Sequence, residues 1–125
     1  MNRILIADDE SHVLRVLKMS LEREGYAVEV CANGREALEI IQREPPDVLI
    51  TDIQMPLMDG EELCQIIEQS MPQRKFLIFV LTSRTEIEHR EWSRNISNLQ
   101  FLEKPVSIRE LSEKLANCNV TTVAN

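Results

Sequence analysis

The sequence predicts an α/β fold of the doubly wound kind: a five-stranded parallel sheet with (βα)5 connectivity and right-handed crossovers. Three observations predict it. Short apolar runs alternate strictly with helical stretches along the 125 residues. Three of the runs are continuously apolar, as strands covered on both faces are. The other two alternate apolar with polar, as strands with a wet face or an edge position do. Periodicity alone leaves the topology open, but margins at strands two and five favour the order 2-1-3-4-5.

Taken in order, strand one is the run Ile4-Leu5-Ile6-Ala7. The helix that begins near Ser11 carries Val13, Leu14, Leu17 and Leu21 on one stripe and stops before Gly25, a suitable C-terminal cap. Strand two is the alternating Val28-Glu29-Val30. The second helix starts at Asn33-Gly34-Arg35-Glu36, a capping residue three before a glutamate, and ends near Glu44, where Pro45-Pro46 cannot continue it. Strand three is Val48 to Thr51, and Asp59-Gly60-Glu61-Glu62 opens helix three. Strand four is Phe76 to Leu81, followed by a fourth helical stretch from Thr85 to Asn95. That stretch is thin in apolar anchors. Ile87 and Trp92 stand five apart, which makes no clean stripe, so a weakly held helix is expected there, with Trp92 packed inward rather than reserved for a partner. Strand five is Leu99 to Glu103, and Ser107-Ile108-Arg109-Glu110 starts a last helix with Ile108, Leu111 and Leu115 on one side. The expected organisation is one domain over residues 1–117, with 118–125 a tail or the start of a linker.

Composition narrows the function. Hydrophobic residues make up 43% and charged residues 28%, an ordinary globular balance. No run approaches the roughly 18 apolar residues of a membrane span, and no signal-peptide pattern follows Met1, so no membrane association and a cytoplasmic location are expected. The net charge of −7 argues against this domain gripping nucleic acid, which needs a basic footprint. Cys31, Cys64 and Cys118 are scattered and unpaired in spacing, which suits free thiols in a reducing compartment rather than zinc or disulfides.

Ligands of an open parallel sheet bind outside the carboxyl ends of its strands. Strand one delivers Asp8, Asp9 and Glu10 there, strand three Asp52, strand four Thr82 and Ser83, and strand five Lys104-Pro105. Each piece alone has an ordinary explanation, such as helix N-terminal charge for Asp8-Asp9 or a turn for Asp52. Together they put acids, a hydroxyl and an amine on one rim. Crowded carboxylates repel, and a hard divalent cation relieves the conflict while sharing its remaining positions with phosphate oxygens. A carboxylate is an established phosphoryl acceptor, and phosphoryl transfer asks mainly for positioning and charge neutralisation.

The set Asp8-Asp9-Glu10, Asp52, Met55-Pro56-Leu57-Met58-Asp59-Gly60, Thr82, and Phe101 three residues before Lys104-Pro105 resembles the receiver family of two-component signalling, over residues 3 to 116. The resemblance implies a flavodoxin-like sheet and a phosphorylation switch, not an enzyme beyond its own phosphorylation and slow dephosphorylation. It implies Asp52 as phosphoacceptor and Mg2+, with Mn2+ as an alternative, held by Asp8, Asp9, Asp52 and the backbone carbonyl of Gln54. Asp9 would bind directly and Asp8 mostly through water. Lys104 would pair with the phosphoryl group beside a cis bond to Pro105, and Thr82 would move toward that group and let Phe101 swing inward. The implied donor is a phosphohistidine on a sensor histidine kinase or phosphotransfer protein. The implied output is an effector domain or partner, or a phosphorylation-dependent homodimer, reached through the face formed by the fourth helix, strand five and the last helix.

Departures from the family's pattern fall at Ser83, bulkier than the usual Ala or Gly, and at Ser97-Asn98, where Gly-Ala is frequent. Gln54 and Arg84 occupy positions that tune aspartyl-phosphate hydrolysis in the family, and Ser83 bears on access to Asp52. Among rivals, an aspartyl-nucleophile phosphatase of the haloacid-dehalogenase kind needs an aspartate where Gln54 stands. A pseudo-receiver binding module fits poorly with intact acids and lysine. A dinucleotide-binding domain needs glycines where Ala7-Asp8-Asp9-Glu10 stands.

Overall fold

The computed structural model describes residues 2–83 and 90–124. Among the described residues, five strands alternate with four α-helices: β1 (Arg3–Ala7), α1 (Ser11–Arg23), β2 (Ala27–Cys31), α2 (Gly34–Arg43), β3 (Val48–Asp52), α3 (Gly60–Ser70), β4 (Leu77–Thr82), β5 (Leu99–Glu103) and α4 (Ile108–Ala124). A short 3-10 helix, Arg90–Asn95, precedes β5. All strand pairs are parallel and the order is β2-β1-β3-β4-β5, as the sequence predicts.

The alternating side-chain directions of the strands build two cores. Ile4, Ile6, Ile50, Phe79 and Leu81 face one way, onto Leu17 and Leu21 of α1 and Leu111 and Leu115 of α4. Leu5, Leu49, Ile78 and Val80 face the other way, onto Ala37 and Ile41 of α2 and Leu63 and Ile67 of α3. All five residues of β3 are buried, whereas β2 and β5 are only partly covered, which matches their mixed patterning.

The cap signals among the described residues form as read. Asn33 Oδ1 accepts from Glu36 N at 2.8 Å, Asp59 Oδ1 from Glu62 N at 2.9 Å, and Ser107 Oγ from Glu110 N at 3.2 Å. Gly25, at φ 98°, closes the end of α1. Two stretches differ from expectation. The described part of the fourth helical stretch is a 3-10 helix rather than an α-helix, consistent with its lack of an apolar stripe; Thr85 and Ile87 lie outside the described residues. Trp92 does pack inward, against the α2–α3 core. The last helix continues past Asn117 to Ala124, since no Pro or Gly interrupts it. No helix among the described residues is long and apolar enough to cross a membrane.

Candidate functional site: an acidic rim at the strand ends

The parallel register brings Ala7 beside Thr51, Asp52 beside Leu81 and Thr82 beside Glu103, so β1, β3, β4 and β5 finish at one rim. Asp8, the first residue beyond β1, is fully buried, and Asp52, the last residue of β3, is 4% exposed. Carboxylate oxygens of Asp8, Glu10 and Asp52 all lie within 4.8 Å of one another. One oxygen of Asp8 accepts from Glu10 N at 2.9 Å. The other, Oδ2, is buried with no hydrogen-bond partner.

Lys104 answers this charge. Its Nζ lies 2.8 Å from Asp52 Oδ1, which also accepts from Ile53 N at 2.8 Å. The lysine is placed by Lys104 N donating to Thr82 O at 2.8 Å, and the following Lys104-Pro105 bond is cis, as the resemblance implied. Burial lowers the ammonium's pKa, but the hydrogen bond and charge of Asp52, with Asp8 and Glu10 behind it, outweigh burial and hold it above the usual lysine value. Burial acts the other way on Asp8. Desolvation lifts its carboxyl above 3.8, opposed by the Glu10 backbone bond and helped by the Asp52 charge.

The loop from β3 to α3 supports Asp52 by close backbone approach. Gly60 N donates to Ile53 O at 2.7 Å, and a Cβ on Gly60 would run into the Asp52 carbonyl oxygen. Gly34 N donates to Met58 O at 2.9 Å, tying the same loop to α2. The helix-start and motif readings of Gly60 did not show this close approach, because it is tertiary.

The other expected residues are placed as follows. Asp9 is exposed, and its carboxylate stands outside the Asp8–Glu10–Asp52 group; Glu10, quoted in the motif but given no ligand role, stands inside it. The acid run Asp8-Asp9-Glu10 signalled a cluster without saying which of the three turns inward. Gln54 is exposed at the rim. Thr82 is buried with its hydroxyl donating to Ser83 O at 3.1 Å. Phe101, partly buried on β5, meets Trp92 edge to face, with ring centres 5.9 Å apart and planes at 75°. Arg84 lies outside the described residues. Cys31 and Cys64 are buried, with burial pushing both thiols up to about 12, so neither serves as a nucleophile at neutral pH.

The unpartnered Asp8 oxygen beside two further carboxylates suits a hard divalent cation, and the carboxylate set is of the oxygen-donor type Mg2+ prefers. Fold and rim together define a doubly wound α/β domain with an acidic, cation-suited pocket at the carboxyl ends of its strands. The comparisons make this specific: a family model for the response regulator receiver domain matches residues 4–116. The chain belongs to that family.

Among its relatives, Response regulator MprA of Mycolicibacterium vanbaalenii is 34% identical over 113 residues, 90% of this chain and 48% of that protein. The alkaline phosphatase synthesis transcriptional regulatory protein PhoP of Bacillus subtilis is 32% identical over 90% of this chain and 46% of its own length. The chain thus spans about half the length of these curated relatives. Among solved structures, chemotaxis response regulator CheY4 of Vibrio cholerae superposes with a TM-score of 0.84 at 30% identity, covering 94% of this chain and 98% of that one. Response regulator TrrA of Thermotoga maritima, solved with Mg2+ and BeF, gives 0.81 at 30% identity, covering 94% and 99%.

Proposed function

We propose that this domain is a phosphorylation-dependent switch whose acceptor is Asp52, charged by a phosphohistidine on a sensor kinase or phosphotransfer protein in the cytoplasm. The observation that carries the reading is the Lys104–Asp52 pair at 2.8 Å, set against a buried acidic cluster with an unpartnered oxygen. In the transfer, an Asp52 oxygen attacks phosphorus, a P–O bond forms, the P–N bond to the donor imidazole breaks, and that nitrogen leaves with the bonding pair and takes a proton.

Mg2+, when bound, neutralises charge between the acceptor and the incoming phosphoryl group. Asp8, Asp9, Asp52 and the Gln54 carbonyl are its proposed ligands, and Glu10 joins them by its position in the cluster. Lys104, kept protonated by its acidic neighbours, passes from the Asp52 oxygen to a phosphoryl oxygen. Thr82 turns its hydroxyl from the Ser83 carbonyl to the new anion, and Phe101 leaves the edge of Trp92 for the space vacated. That rearrangement alters the face around β5 and α4 and is the signal to an output domain, a partner or a second copy. Gln54, Ser83 and Arg84 set the lifetime of the adduct, with Arg84 screening it from water.

Incubation with Mg2+ and acetyl phosphate tests this. The expected result is an adduct of about 80 Da that is absent in Asp52→Asn and without Mg2+, and that decays faster in Arg84→Ala. An adduct that persists in Asp52→Asn overturns the acceptor assignment, and multiple-turnover phosphate release favours a phosphatase. An unchanged decay in Arg84→Ala overturns the screening role.

A further inference from the structure

A charged network at the opposite end of the sheet borders the segment that carries Trp92. Arg74, in the connection between α3 and β4, has a side chain only 2% exposed. Its Nη1 pairs with Glu68 Oε1 of α3 at 2.8 Å, its Nη2 donates to the carbonyl oxygen of Ser97, and its guanidinium lies over the Phe76 ring, 5.5 Å from the centre. Glu68 Oε1 also accepts from Ser97 N at 3.2 Å and Ser97 Oγ at 3.3 Å. The backbone N–H, backbone C=O and hydroxyl of one residue are thus all held by a single ion pair. The Arg74 hydrogen bond, and then the Ser97 backbone, keep the Glu68 carboxyl below its ordinary value, so the pair stays charged through the neutral range.

Position gives the network its consequence. From Leu99 onward β5 is fixed by pairing with β4. Just before Ser97, Ile96 and Trp92 pack with Phe101 against the α2–α3 core. Ser97 therefore marks the border between the fixed sheet and the 3-10 segment whose tryptophan meets Phe101. We infer that the Glu68–Arg74–Ser97 clamp is a brake on switching: it holds the Arg90–Asn95 segment in the arrangement where Trp92 rests on Phe101, and so sets how hard the domain is to activate. The inference rests on the proposed movement of Phe101. A guanidinium suits the clamp because its rigid planar fork aims separate donors at a carboxylate and a carbonyl on different segments, a span and geometry the compact ammonium of lysine does not match.

The test uses Trp92, the only tryptophan in the chain, as a fluorescent reporter. The protein is titrated with beryllium fluoride in excess Mg2+, a mimic of the phosphoryl group on the acceptor. The unaltered protein gives a saturable change that Asp52→Asn lacks. Arg74→Met keeps the packing on Phe76, removes a buried nitrogen (Nε) that has no partner, and releases Ser97. It lowers the half-saturating concentration by about three- to tenfold, because the activated arrangement is already more populated. Arg74→Lys shifts it in the same direction, and Glu68→Gln, milder for folding, shifts it less. Half-saturation within about twofold of the parent in both Arg74→Met and Glu68→Gln, with cooperative melting retained, overturns the brake while the switch stands. A parent whose Trp92 emission does not respond overturns the Phe101 movement, and the brake with it.

Discussion

Asp8 and Leu57 each show a local cost in their geometry. Asp8 holds a buried carboxylate oxygen with no partner, next to Asp52 and Glu10. Asp8→Asn keeps an acceptor for Glu10 N and removes the buried charge. Without metal it is expected to be more stable than the parent by about 1–2 kcal/mol at neutral pH in urea unfolding, and to lose most of the stabilisation Mg2+ gives the parent. Because the folded-state pKa of Asp8 is raised, its carboxyl is no burden while protonated. The gap between parent and variant should therefore be small near the ordinary value of 3.8 and open as pH rises. Leu57 sits at φ 67°, a left-handed conformation unusual for leucine, in a tight turn closed by Met58 N donating to Pro56 O at 2.7 Å, and it is 74% exposed. Leu57→Asn, which tolerates this φ and gives up no buried contact, should raise stability by about 1 kcal/mol in the same measurement.

At the scale of the element, the loop between β3 and α3 matters most, since its backbone closes against the Asp52 carbonyl. Gly60→Ala places a methyl group against the Asp52 carbonyl oxygen. It is expected to cost about 1–3 kcal/mol in chemical unfolding and to weaken Mg2+ binding by calorimetry, because relief of the clash displaces the residue that supplies the site. Which elements could be read beforehand follows from how local their causes are. Asn33, Asp59 and Ser107 cap helices through bonds three residues long, so the sequence carries the whole interaction. The stretch ending at Asn95 lacks an apolar stripe, and its described part is a 3-10 helix set by the contact of Trp92 with Phe101, nine residues on. Arg74 gave no signal at all, because Ser97, 23 residues on, reaches it and its neighbour Glu68 of α3 only through the tertiary fold.

For the molecule as a whole, the continuous apolar runs of β1, β3 and β4 and the mixed patterns of β2 and β5 put the latter two at the margins and so favoured the observed order without fixing it. The strand order then gathered Asp8, Asp52, Thr82 and Lys104 at one rim. What strand order does not set is side-chain direction at the rim, which is why Glu10 rather than Asp9 faces the other two acids here. Topology also ties competence to complete folding. Asp8 follows the first strand in sequence and Lys104 the last, so the acids and the lysine meet only when β1, β3 and β5 have all joined the sheet. In pulse-labelled refolding, the ability to accept phosphoryl from acetyl phosphate should appear together with amide protection in β5; acceptance by species that lack it would contradict this. An unfinished chain, with its acids crowded and its lysine still free in solvent, makes a poor recipient. On the proposed function, the architecture thereby proofreads itself, and half-assembled copies stay silent.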